Sequence, residues 1–110
     1  MASPDAETQA KIQQLQILEQ SVQNLNVQKQ QFQMQLTEIE SALEEIKGKD
    51  SAYKIVGNVM ISKKVKDIEV DLNSKKELIE VRINSLEKQE NKVKEKIGAL
   101  QKEVMQVLKK

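Results

Sequence analysis

The sequence predicts a mostly α chain: a long antiparallel two-helix coiled-coil hairpin with a single β-hairpin between the helices. Three observations predict it. Apolar residues recur at alternating spacings of three and four through both outer parts of the chain, the period of a coiled-coil seam. The middle stretch YKIVGNVMIS, Tyr53 to Ser62, alternates as a strand does and turns on a Gly-Asn pair. Of the 110 residues, 32% are charged and only 2% aromatic, a composition that suits long helices and lacks the large rings that fill a spherical core.

The first helix is expected over about 4–47. Ser3 is a good N-cap, Pro4 suits the first helical position, and Asp5 favours the positive end of the helix dipole. Its seam runs Leu15, Leu18, Val22, Leu25, Lys29, Phe32, Leu36, Ile39, Leu43 and Ile46. Lys29 is the one charged slot. Gly48 follows as a natural C-cap.

The second helix is expected over 64–110, with Ser62 as its N-cap. Its seam runs Ile79, Ile83, Leu86, Glu90, Val93, Ile97, Leu100, Val104 and Val107, continued upstream by Val65, Ile68 and Leu72. Lys75 and Lys76 interrupt it, and Glu90 is again one charged slot. Gly98 weakens the helix by about 1 kcal/mol relative to alanine.

Antiparallel packing sets side by side residues whose numbers share a constant sum, here about 115 or about 122. In either register Lys29 and Glu90 lie about one helical turn apart. Two arrangements fit: a cross-helix ion pair, which would specify register more than add stability, or two long side chains reaching separately into water.

The linker and β-hairpin occupy 48–63. Tyr53, Ile55, Val56, Val59 and Ile61 are types that suit a pleated surface, and Gly57-Asn58 can supply the positive φ angles of a two-residue turn. A lone hairpin is marginal in water and leaves both edges unpaired. Two helices at its base cannot cover both faces. Tyr53, Ile55, Val56, Gly57, Asn58, Val59, Met60 and Ile61 are therefore the candidate subunit-assembly residues. Strands of several chains would join edge to edge in an intersubunit β-barrel, which removes the edges; the alternative is a capping hairpin that folds back onto the helix ends of a monomer.

Composition narrows the function classes. Eighteen basic and seventeen acidic residues leave a net charge of +1, so nothing draws the chain to nucleic acid or an acidic membrane, and no aromatics stand ready to stack bases. With no cysteine and no histidine, neither a disulfide framework nor the usual nucleophile–base pairs are available. No enzyme, no metal site and no cofactor is expected. No run reaches membrane-span length, and a cytoplasmic location follows as the expectation.

The Tyr-Lys-x-x-Gly-x-Val pattern of YKIVGNVMISK, Tyr53 to Lys63, set between helices of about equal length, resembles β-type prefoldin subunits. The likeness covers nearly the whole chain, 1–110, as one prefoldin-like domain. Met60 stands where such subunits often carry leucine. The compact form and the glutamine-rich first helix look archaeal. The resemblance implies a hexamer of two α-type and four β-type subunits, with a double β-barrel hub and hanging coiled coils. It implies a nucleotide-independent chaperone that holds unfolded polypeptides at the coiled-coil tips and passes them to a group II chaperonin.

A holdase needs exposed apolar surface that adapts to many sequences. The candidate client-binding tip is Ile12, Leu15, Ile17, Leu18, Leu100, Val104, Met105, Val107 and Leu108, where apolar residues exceed the needs of the seam. Val27, Met34, Val70, Leu78 and Val81 form a similar surplus elsewhere. The interleaved lysines of the last turns, ending in Lys109 and Lys110, could add a basic docking contact to an acidic chaperonin surface. A structural coiled-coil adaptor or tether with an oligomeric β hub is the alternative reading.

Overall fold

The computed structural model describes residues 5–109. The element order is α1 (Ala6–Ile46), β1 (Ser51–Val56), β2 (Val59–Lys64) and α2 (Val65–Leu108). The two long helices and the single antiparallel hairpin between them are those the periodicities predict. The chain divides into two compact units, Met1–Gln30 with Asn84–Lys110, and Gln31–Ile83.

In the first unit α1 and α2 pack along the expected seam. Leu86 and Val104 are buried, and Leu15, Leu18, Val22, Leu25, Val93, Ile97 and Leu100 are half-buried. Of the two arrangements open to the charged slots, the ion pair forms. Lys29 Nζ lies 3.3 Å from Glu90 Oε2, and Lys94 Nζ lies 2.8 Å from Glu90 Oε1. Glu90 is buried, at 8% exposure, so it needs both partners.

The ion pairs also select the register. Lys11 Nζ meets Glu103 Oε2 at 3.2 Å, which fits the lower sum. The higher one would part them by roughly 10 Å. Helical side chains lean toward their own N-terminus. In the lower register the leaning brings Lys29 and Glu90 together, and in the higher one it drives them apart.

The second unit holds the hairpin, the end of α1 and the start of α2. Val65 and Ile83 are buried, and Phe32, Leu36, Ile39, Leu43, Ile46, Ile68, Leu72 and Ile79 are half-buried. Lys76 occupies a seam slot, half-buried, with its Nζ 3.9 Å from Glu40 Oε1. The Arg82 guanidinium sits over the Phe32 ring, 5.9 Å from its centroid. The strand pairs run from Ser51↔Lys64 to Val56↔Val59, on the same sum as the helical register.

Three local expectations change. Ser3 and Pro4 lie outside the described residues, and Asp5 itself caps α1: the Thr8 amide donates to Asp5 Oδ1 at 2.8 Å. That bond holds the Asp5 carboxyl below its ordinary value. Ser62 does not cap α2. It lies in β2, paired with Tyr53, because Ser51 and Ala52 keep pairing through Lys64 and Lys63. The first helical amide, Val65, donates instead to the Asp50 carbonyl at 3.1 Å. In the turn, Gly57 alone has a positive φ, 60°. Asn58 does not, which makes the turn type II′, with glycine first. Gly48 stops α1 as expected, with φ 74°.

Candidate functional site

The hairpin is built from side chains that its own chain does not cover. Pairing puts Tyr53, Ile55, Met60 and Ser62 on one face, and Lys54, Val56, Val59 and Ile61 on the other. On the first face Tyr53 is 72%, Ile55 67% and Met60 67% exposed; on the second Val56 is 52%, Val59 59% and Ile61 42% exposed. Neither face is a core. Among the described residues the two strands pair only with each other, so each keeps an open edge. All eight predicted assembly residues, Gly57 and Asn58 included, are thus brought together and exposed.

Within the same unit an apolar groove of about 310 Å³ lies along β1, floored by Ala42, Ile46, Ile68 and Leu72. Lys54 reaches across to α2, where its Nζ lies 3.1 Å from Asp71 Oδ2. The hydrogen bond and charge of Lys54 hold the Asp71 carboxyl below its ordinary range. No pattern in the residues signals this pair, because a strand–helix contact has no fixed spacing.

The predicted tip residues all fall in the other unit, where Lys11–Glu103 binds the outer parts of the helices together. The Glu103 hydrogen bond raises the Lys11 pKa. The residues divide. Ile12, Leu15, Leu18 and Leu100 are half-buried and Val104 is buried, as seam residues are. Ile17, Met105, Val107 and Leu108 are exposed, from 44% at Val107 to 66% at Ile17. The surplus residues Val27, Met34, Val70, Leu78 and Val81 are exposed as well. Lys109 is exposed, and Lys110 lies outside the described residues.

Among the described residues no three acidic side chains converge as a metal site would require, and no helix is long and apolar enough to cross a membrane. What the geometry presents is apolar surface on strands and helices. That defines the class of chain: a two-helix coiled coil that carries an uncovered β-hairpin between its helices. The family described as "Prefoldin subunit" matches residues 9–110. A relative named "Prefoldin subunit beta" from Thermococcus kodakarensis is 40% identical over 107 residues, covering 94% of this chain and 91% of its own. One of the same name from Archaeoglobus fulgidus is 37% identical over 98 residues, covering 86% and 84%. The crystal structure of the prefoldin beta subunit from Thermococcus strain KS-1 superposes with a TM-score of 0.94 at 34% identity, covering 100% of this chain and 99% of that one. The chain belongs to the prefoldin family, which is a family of chaperone subunits and not of enzymes.

Proposed function

We propose that this chain is the β-type subunit of a nucleotide-independent holdase, assembled through its hairpin with other β-type and with α-type subunits as two α and four β. The observation that carries the reading is the exposure of all six large apolar side chains of the hairpin, on two faces with two open edges. Sheet closure with strands of other subunits covers both. The exposed Ile17, Met105, Val107 and Leu108 then offer the adaptable apolar surface that holds unfolded polypeptides. Delivery to a group II chaperonin in the cytoplasm completes the role.

The test is light scattering from a denatured, aggregating protein diluted into the chain with an α-type subunit, without nucleotide. The parent complex suppresses scattering. A complex carrying Ile17→Ser, Met105→Ser, Val107→Ser and Leu108→Ser assembles but does not suppress it. The exposed Val27, Met34, Val70, Leu78 and Val81 favour a second reading, a tether that binds one partner along its helices. An assembled complex that never suppresses scattering supports the tether.

A further inference from the structure

We propose that the Lys54–Asp71 ion pair is a strut that sets the pitch of the β-hairpin on α2 and so presents the strands for assembly. The proposal rests on the hairpin being the assembly surface. Apolar packing does not fix that pitch. None of the hairpin's six large apolar side chains is buried, and the groove between β1 and the helices holds about 310 Å³ of unfilled space. The hairpin meets the helices through the turn at Gly48 and through the Lys64–Val65 junction. At its base Val65 N–H donates to the Asp50 carbonyl, and among the described residues no other backbone bond outside the helices and the strand ladder ties the hairpin to α2. A base held this way can still rock.

Lys54 is placed to stop the rocking. With Ala52 it is one of the two half-buried residues of β1, which identifies the strand face turned toward the helices. Its ammonium meets Asp71 at 3.1 Å. Among the described residues this is the only side-chain hydrogen bond or ion pair that joins a strand to a helix. Asp71 lies beyond the first turn of α2, next to the half-buried Leu72 that anchors the helix in the seam. The strut therefore ties a point well up the strand to a fixed part of the helix. A bond with this leverage constrains angle, although an exposed pair adds little to stability.

Because the chain has no cysteine, spin labels on Ser62→Cys and Ser74→Cys, both exposed, report the hairpin–helix distance directly. The parent gives a narrow distance distribution. Lys54→Met and Asp71→Asn broaden it, and the exchange Lys54→Asp with Asp71→Lys narrows it again. Association with a recombinant α-type prefoldin subunit follows the same order, weakened about threefold per contact in the single variants and regained in the exchange. Distances unchanged in both single variants, or still broad in the exchange, overturn the strut. Broadened distances with unaltered association overturn its role in assembly. Ile55→Lys with Met60→Lys separates the two readings: if that variant also associates as the parent does, hairpin assembly itself fails.

Discussion

The helical seam and the β-hairpin draw on much the same side chains, and the fold treats them in opposite ways. In the seam, Ile83, Leu86 and Val104 are buried by the facing helix. In the hairpin, Ile55, Val59 and Ile61 have the same chemistry and stand in solvent. The difference lies in what each element can do alone. Two amphipathic helices have one apolar stripe each, and pairing satisfies both. A two-stranded sheet has two faces and two edges, and no pairing within one chain covers them all. The seam closes within the chain, and the hairpin leaves its faces and edges open.

The largest test of this contrast is paired substitution. Leu86→Ala removes buried methyl groups and is expected to cost about 3 kcal/mol in urea unfolding of the isolated chain. Ile55→Lys with Met60→Lys is expected to change that stability by about 0.5 kcal/mol or less, because exposed positions contribute little. It abolishes assembly, read by sedimentation with an α-type subunit. Equal stability losses in the two variants would erase the distinction.

The seam contains its own exception. Glu90 is a carboxylate at an apolar slot, and Glu90→Ala leaves half-buried Lys29 without its partner. The expected loss is about 2 kcal/mol. Lys29→Leu with Glu90→Leu should recover the parent stability or exceed it by about 1 kcal/mol. That recovery would show that the pair serves register more than strength.

Acid titration sharpens the same point. The Lys94 and Lys29 hydrogen bonds hold the Glu90 carboxyl below its ordinary value of 4.5. A carboxylate depressed by folding contributes stability that is fully present above the ordinary value and is lost as pH falls through the folded one. The melting temperature of the isolated chain should fall as pH drops below 4.5. In Glu90→Gln the fall should be shallower, as thermal melts at several pH values would show.

The smallest effect is a gain. A methyl group added at Gly98 meets nothing within 4 Å, so Gly98→Ala should raise stability by about 1 kcal/mol through helix propensity. The gain belongs to the seam's helix alone and should leave assembly untouched.

Much of this architecture was legible in the residues. The alternating spacing from Leu15 to Ile46 and from Ile79 to Val104 announced two helices and the side of each that packs. Gly57-Asn58 between alternating apolar residues announced the hairpin. These features are local: a period, a turn or a cap depends on residues close in sequence.

What the tertiary structure decided depends on residues far apart. The seams alone permitted two registers, and the choice rests on which charges meet, Lys11 with Glu103 and Lys29 with Glu90. Ser62 has the chemistry of a cap, yet it is strand because Tyr53 stands opposite. Nine apolar residues near the chain ends looked alike as a client surface, and the packing withdrew five of them into or beside the seam while leaving Ile17, Met105, Val107 and Leu108 outside. Lys54 belongs to the Tyr-Lys-x-x-Gly-x-Val pattern, but nothing in that pattern points to Asp71, and only the seating of β1 against α2 makes them a pair. Periodicity records which face of an element is apolar, and it says nothing about what lies across from it.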